Sequence, residues 1–395
     1  MSSKIIRDPI HGNIRLDDLA TELMDTSYVQ RLRNIKQNGF CYLVYPSMNS
    51  TRFEHSLGVY HLAGVLSSHL CVSEVDRLHL QAASLLHDIG HAPFSHTFDR
   101  VFGSYGFDHE VRTSELILDS EIADILKSSG LNPQDVSDLV HGRGKLGKIL
   151  SSEVDVDKMD YLVRDAYYAG VAYGVTDVER LLYSISLVRG DIIVSEGGLE
   201  AAESLLINRN MMYQTVYRHH TKRIAEAMMS NALEKLLTEE NLGEIVASDD
   251  IGFISRMRGV GGYASEMVGR IDARILFKCV FSEPVSNIVE ESRAELSKST
   301  SEIEAKIAGD LNIEAGYLLL DYPESSMNAY RVKVKTKSGL KPILDVSPLA
   351  RSLEISEREK LTLNIYVRQE DSPKISEFKP QNYFSLEQRR LNEYT

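Results

Sequence analysis

The chain has 395 residues, with 44 basic and 57 acidic side chains, a formal net charge of −13, and 43% apolar and 26% charged residues. That balance excludes a wholly disordered chain, and at roughly 150 residues per domain the length predicts two or three domains with a substantial core. No apolar run approaches the ~20 residues of a membrane span, and the acidic surplus argues against broad nucleic-acid binding.

The first residues (MSSKIIRDPIHG) lack a secretory apolar region, so a soluble, cytoplasmic protein without a membrane partner is expected. Helical periodicity then dominates to about residue 308. After His55, the residues Val59, Leu62, Leu66 and Leu70 recur at helical spacing. Val75, Leu78, Ala82, Leu85 and Ile89 repeat the pattern, with Gly90 and Pro93 as a stop signal. Helices are also predicted over 114–127, 177–188, 200–235 and 285–308, with a short strand and turn at IIVSE before Gly197. Beyond residue 310, GYLLLDY, YRVKVKTKSG and LTLNIYV carry strand patterns between turn residues. The predicted fold is therefore predominantly α. A helical domain spans 1–308, a small α+β region 309–370, and a polar tail 371–395. Cys41, Cys71 and Cys279 form neither a disulfide framework nor a metal knuckle, which fits a reducing compartment.

Histidine is unevenly spread. Eight of the twelve lie between His55 and His109, where even spacing would put fewer than two. A metal or proton-transfer site is a physical reason for such clustering. Within SLLHDIGHAPFSH, His87 and Asp88 end a nearly continuous apolar run. Burying both is costly unless something compensates, and a divalent ion accepts imidazole and carboxylate alike. Manganese, magnesium, iron, zinc and nickel all suit such nitrogen and oxygen ligands. Gly90 and Pro93 turn the chain, making His91 and His96 candidates for supporting or substrate-contacting groups. His55 sits on the apolar stripe with Val59 and Leu62 and points inward, whereas His61, His69 and His79 read as structural or surface residues. Downstream, in DVDKMDYLVRDAYYAG, a helix would place Asp157, Tyr161, Arg164 and Asp165 on one face. An acid, a ring and a cation there suit an anionic, ring-bearing substrate.

The residues His55, His87-Asp88 and Asp157 resemble the pattern of the HD phosphohydrolase superfamily, whose fold is helical. DPIHG (8–12), QRLRNIKQNG (30–39), RFEHSLGVYHLAG (52–64), HDIGHAPFSHTFD (87–99), DVDKMDYLVRDAYYAG (155–170) and RNMMYQTVYRHH (209–220) follow in order. Together they resemble its deoxynucleoside triphosphate triphosphohydrolase branch, typified by a sterile-alpha-motif-and-HD-domain enzyme, over residues 4–368 and without the sterile alpha motif. The resemblance implies metal-dependent hydrolysis of a deoxynucleoside triphosphate to deoxynucleoside and inorganic triphosphate. It implies metal ligands at His55, His87, Asp88 and Asp157, and phosphate contacts at Arg52, Lys158 and Arg209. His96, Asp99 and His109 match acid/base positions, with His91 a further substrate contact. Gln37, Tyr161 and Asp165 match sugar contacts, and Tyr217 an aromatic near the base.

The resemblance also implies a guanine-nucleotide activator between subunits of a homo-oligomer, dimer or tetramer. Lys4, Asp25, Gln30 and Arg33 match that site, while its downstream basic pair is replaced by Ser195 and Gly197. The bland reading of Arg31, Arg33 and Lys36 is a solvated helix face. Two other readings compete. One is an HD phosphohydrolase acting on nucleoside monophosphates, cyclic nucleotides or guanosine polyphosphates. The other is a nucleotide-sensing or nucleic-acid-binding protein, suggested by the interleaved aromatics and cations of 209–223. The acidity favours a helix serving the active site and a subunit contact over nucleic-acid binding.

Overall fold

In this computed structural model the chain opens with a hairpin, Lys4–Asp8 (β1) antiparallel to Gly12–Leu16 (β2), with Asp8 opposite Gly12. Gly12 takes a φ of +73°, the left-handed conformation the turn demands. Ile14 and Leu16 face inward, but five-residue strands with one buried face leave too little alternation to announce themselves in the sequence. The structure describes residues 4–174, 176–323 and 330–387. They fall into two units. The first comprises Met1–Tyr217, Leu237–Arg256 and Met327–Arg351; the second comprises Arg218–Leu236, Met257–Ser326 and Ser352–Thr395.

In chain order the helices of the first unit are α1 (Asp18–Asp25), α2 (Ser27–Arg31), α3 (Arg52–His69), α4 (Glu74–Leu86), α5 (Ser95–Ser104), α6 (His109–Asp119), α7 (Glu121–Ser128), α8 (Pro133–Val140), α9 (Val156–Ala169), α10 (Val178–Ser184) and α11 (Leu199–Met212). Helix α12 (His220–Leu236) belongs to the second unit, and the chain returns to the first for α13 (Glu239–Ala247) and the start of α14 (Asp250–Gly259). At the centre lies α3, started by a reciprocal cap between Thr51 and Glu54 and packed against α4 and α9. Leu57, Val59, Leu62, Ala63 and Leu66 of α3 are buried. Each large aliphatic side chain buried this way contributes about 1.5–3 kcal/mol.

A four-stranded sheet completes the first unit. Its order is β3 (Ile185–Val188), β4 (Asp191–Ser195), β7 (Lys333–Thr336), β8 (Gly339–Pro342), and only β4–β7 is parallel. The helix expected over 177–188 therefore stops at Ser184, because Ile185 pairs with Val194 and the chain continues as β3. The expected 114–127 helix breaks at Ser120, whose hydroxyl caps α7. The expected 200–235 helix is interrupted by a π-helical turn, Tyr213–Tyr217.

The second unit has a three-stranded sheet with β9 (Thr362–Val367) between β5 (Lys278–Pro284) and β6 (Leu318–Asp321), all antiparallel. Helices α12, α15 (Gly262–Asp272), α16 (Glu290–Lys298) and α17 (Thr300–Asp310) surround it. Within the expected polar tail, residues 385–387 run beside 287–289, where Val289 N donates to Ser385 O (3.0 Å) and Glu387 N to Asn287 O (2.8 Å). Residues 388–395 of that tail lie outside the described residues. Among the described residues no helix is long and apolar enough to cross a membrane.

Arg223 anchors α12 to the second sheet. Its Nε lies 2.7 Å from Asp321 Oδ2, and its terminal nitrogens donate to Thr362 Oγ1 (3.0 Å) and Thr362 O (2.9 Å). Tyr366 donates to the same Asp321 carboxylate at 2.6 Å. Removing one partner from a shielded, hydrogen-bonded ion pair leaves the other charge uncompensated. Arg223→Ala is expected to lower stability by about 3 kcal/mol, read as a lower urea midpoint with an unchanged slope.

Candidate metal centre and active site

Three helix ends and their caps converge on one point. The Thr51 cap starts α3, so His55 falls in its first turn, 1% exposed. Helix α4 ends at Leu86 with His87 as its C-cap, so Asp88 follows at the start of a loop. Gly90 lets that loop pass α6, because a β-carbon there would collide with the His109 carbonyl and with Thr113. Asp155 caps α9 and places Asp157 in its first turn.

His55, His87 and Asp88 each offer a ligand atom, all within 4.8 Å of one another. His55 Nε2 is 3.3 Å from His87 Nε2, and His87 Nε2 is 3.3 Å from Asp88 Oδ1. Asp157 Oδ1 joins them at 2.9 Å from His55 Nε2 and 3.9 Å from His87 Nε2. Two ligands about 2.1 Å from one ion sit ~3.0 Å apart at a right angle and ~3.4 Å apart at a tetrahedral one. The donor chemistry fits too. His55 Nδ1 faces Asp160 (2.8 Å) and His87 Nδ1 faces the Ser84 carbonyl (2.8 Å). Each ring therefore donates from Nδ1 and turns Nε2 toward the cluster, the atom that would hold an ion. Burial pushes the His55 pKa down, but the hydrogen-bonded carboxylates of Asp157 and Asp160 prevail and lift it to about 10. The surroundings therefore demand positive charge at this point. HD domains bind divalent metals, and this group of side chains has the ligand types and spacing for one.

Behind His55 stands a network of buried charge. Asp160 accepts from His55 Nδ1, from Arg164 Nε (2.8 Å) and Nη2 (2.9 Å), and faces His11 Nε2 at 2.6 Å. Arg164 Nη1 donates to Asp8 Oδ2 at 2.7 Å, and Asp8 Oδ1 accepts the backbone N–H groups of Ile10 and His11. Burial would raise the Asp160 pKa, but Arg164, His11 and His55 hold it well below the carboxylate range. This corrects the expectation for Arg164. Side chains at 157 and 161 turn one way, while Arg164 turns with Asp160, one helical turn earlier, and is 0% exposed. The DPIHG segment earns its place here through Asp8 and His11. Asp160 escaped the sequence reading, although its i,i+4 relation to Arg164 was visible. Gly58 makes room for the network, because a β-carbon there would overlap the Asp160 carboxylate and the Arg164 guanidinium.

The other anticipated residues divide by what they touch. Arg52, 1% exposed, donates to Asp88 Oδ2 (2.7 Å) and Ser95 Oγ (2.8 Å). His91 Nε2 lies 3.2 Å from Asp88 Oδ1, and its ring stacks on His109 at 4.1 Å. Lys158 Nζ donates to Asp155 Oδ2 at 2.9 Å, and Arg209 covers the Tyr213 ring at 4.4 Å. Tyr161 lies edge-on to both His55 (6.4 Å) and Tyr217 (6.5 Å). Tyr217 donates to Asp165 Oδ2 at 2.7 Å. Burial raises the Asp165 pKa to about 6 against the bonds from Tyr217 and Asn38 that lower it. Gln37 Oε1 is buried without a hydrogen-bond partner. His96 and Asp99 are on α5, but their side chains lie outside the described residues.

The cations of 209–223 are largely occupied: Arg218 with Glu357, Lys222 with Glu226, Arg223 with Asp321. Of the histidines read as structural, His69 faces the Ile185 carbonyl (3.2 Å), His79 that of Val75 (2.8 Å), and His61 the His11 ring. Lys4 Nζ pairs with Asp25 (3.1 Å) and Arg33 Nε with Gln30 Oε1 (2.8 Å) on the surface. Gln30 Nε2 also reaches the Met24 carbonyl at 2.8 Å, which joins the two pairs into one patch. Arg31 and Lys36 are not a solvated face. Arg31 reaches the His91 carbonyl, and the Lys36 ammonium sits 3.8 Å over the Tyr42 ring.

Replacing Asp160 by Asn removes the negative charge and one of the two acceptor oxygens that hold His55, Arg164 and His11, and an outer-sphere loss of this kind costs about 10–100-fold in metal affinity. Asp160→Asn is expected to raise the Mn2+ dissociation constant by that factor in a calorimetric titration. His87→Ala is expected to abolish uptake. Gly58→Ala is expected to destabilise by more than about 2 kcal/mol, because neither Asp160 nor Arg164 has room to retreat.

Comparison with known proteins agrees with this geometry. Residues 52–165 match the HD domain and 176–394 the HD associated region. An uncharacterized protein of Methanocaldococcus jannaschii is 36% identical over 393 residues, covering 96% of this chain and 82% of its own length. Deoxynucleoside triphosphate triphosphohydrolase SAMHD1 of Bos taurus is 33% identical over 279 residues, and the chain spans only 47% of its length. The crystal structure of a hypothetical protein from Aquifex aeolicus superposes with a TM-score of 0.78 at 31% identity, covering 95% of this chain and all of that one. A phosphohydrolase from Bacteroides thetaiotaomicron shares the fold, with a TM-score of 0.75 at 22% identity over 93% of this chain and all of its own. With the His-Asp cluster assembled and both segments matched, the chain belongs to the HD phosphohydrolase family, as an HD domain followed by its HD-associated region.

Proposed function

We propose that the protein hydrolyses deoxynucleoside triphosphates to the deoxynucleoside and inorganic triphosphate, with a divalent ion held by His55, His87, Asp88 and Asp157. The observation that carries this reading is a polar edge in which Gln37 Oε1 is buried with no hydrogen-bond partner and its chain neighbour Asn38 bonds Asp165. Asp165 also accepts from the Tyr217 hydroxyl, and the Tyr217 ring lies edge-on to Tyr161. Buried polar atoms are ordinarily paired, so such an edge calls for a hydroxylated, ring-bearing ligand. The bovine deoxynucleoside triphosphate triphosphohydrolase and its Dictyostelium discoideum homolog, 34% identical over 254 residues, support the same substrate class.

A bound divalent ion supplies an acidified water and neutralises phosphate charge. Lys158 and Arg209 bring cations to the outer phosphates, and Arg52 keeps Asp88 ionised and oriented. His109, with His96 and Asp99 on α5, supplies the acid/base groups, and His91 stacks beneath His109. The departing 5′-oxygen takes its proton from one of these histidines. Gln37 and Asp165 hold the 3′-hydroxyl while Tyr161 occupies the space of a 2′-hydroxyl, and Tyr217 lies against the base. The patch of Lys4, Asp25, Gln30 and Arg33 takes a guanine nucleotide at a contact between subunits of a homo-oligomer.

The test is incubation of the purified protein with each dNTP and rNTP, with Mn2+ or Mg2+, with and without dGTP, and separation of the products. Deoxynucleoside plus triphosphate is the expected outcome, with rNTPs refused. Monophosphate or diphosphate products would overturn the cleavage position, and equal rates with and without dGTP on another dNTP would remove the activator. Tyr161→Ala is expected to narrow the preference for dNTP over rNTP by tenfold or more, on the order of 1.4 kcal/mol.

A further inference from the structure

The segment from Asp88 to Ser95 joins the His-Asp pair to α5, and it is gripped from two sides. On the inner side, Arg52 bridges Asp88 Oδ2 and Ser95 Oγ. On the outer side, Arg31 at the end of α2 directs both terminal nitrogens at the His91 carbonyl, Nη1 at 2.9 Å, while Nη2 also reaches the Val246 carbonyl at 3.4 Å. Three residues on, the Phe94 N–H donates to Asp250 Oδ1 at 2.9 Å, and the other Asp250 oxygen accepts the Lys36 N–H at 2.9 Å. Asn34 donates to the neighbouring Asp249 at 2.9 Å, so the chain after α2 and the start of α14 are joined twice. Between the two grips Phe94 holds a φ of +48°, a conformation an L-residue adopts only when its surroundings impose it.

A guanidinium on a main-chain carbonyl is a charge-assisted contact with a fixed fork. What it controls is the position of His91, whose Nε2 sits 3.2 Å from the Asp88 carboxylate and whose ring stacks on His109. We propose that Arg31 is a positioning residue of the metal centre: through the His91 carbonyl, with Asp250 fixing Phe94, it sets where Asp88 and His91 stand relative to His55 and His87. The inference rests on the reading of His55, His87, Asp88 and Asp157 as metal ligands.

The test compares the parent with Arg31→Gln, Arg31→Lys and Asp250→Asn, each treated with chelator and titrated with Mn2+ by calorimetry, alongside urea unfolding and dNTP turnover. Arg31→Gln is expected to weaken Mn2+ binding about tenfold and to lower kcat with little change in KM. Arg31→Lys, which restores the charge and a donor, is expected to recover most of both. Parent-like Mn2+ affinity and kcat in Arg31→Gln would overturn the proposal. So would losses that track the urea midpoint and are not relieved by Arg31→Lys. If Arg31→Gln does not fold, Asp250→Asn decides, because it loosens the opposite grip, and unchanged Mn2+ affinity there overturns the proposal. A parent that takes up no Mn2+ refutes the metal reading itself. A parent that binds while all variants match it refutes only the brace.

Discussion

Two imidazole nitrogens and two carboxylates converge on one point. His55 and His87 spend their Nδ1 protons on Asp160 and on the Ser84 carbonyl, which leaves both Nε2 atoms facing inward. Carboxylates packed this closely call for positive charge among them, which a protonated His55 or a divalent ion supplies. Much of the first unit can be read as the means of holding that arrangement. A helix start supplies His55, a helix end supplies His87 and Asp88, and a capped first turn supplies Asp157.

Holding the arrangement requires buried charge to be balanced by buried charge. Asp160 is satisfied by Arg164, His11 and His55, and Arg164 in turn by Asp8, which the β1–β2 turn delivers. Such a network is weak evidence for stability but strong evidence for a fixed geometry, because removing any member strands another in a low-dielectric interior. On the opposite side the Asp88–Ser95 segment is fixed through main-chain atoms rather than side chains. Its left-handed Phe94, stacked on Phe40 at 4.7 Å, is the local backbone strain tolerated there.

The contrast between paired and unpaired polar atoms separates support from recognition. Arg164, Asp160 and Asp8 have their hydrogen-bonding capacity filled by protein. Gln37 is also buried but keeps its Oε1 without a hydrogen-bond partner. The π-helical turn at 213–217 contributes to this side by setting Tyr213 and Tyr217 at 5.1 Å, edge to face, with Tyr217 directed at Asp165. Such turns recur at functional sites because they displace side chains from the regular helical face.

Much of this could be read directly from the residues. The periodicity after His55 and before His87 marked the two central helices, the histidine excess marked the candidate metal centre, and the strand patterns of 316–367 marked β6, β7 and β9. Local sequence carries these because amphipathic spacing and residue chemistry are local properties. Tertiary contact alone decided the rest. Arg164 belongs to Asp160 and Asp8 rather than to a ligand, Arg31 grips a carbonyl sixty residues away, and Ile185 leaves a helix to pair with Val194. Whether a cation is solvated or spent depends on which distant carboxylate or carbonyl the fold brings to it. Whether a β-branched run finishes a helix or begins a strand depends on a partner strand being there to receive its hydrogen bonds.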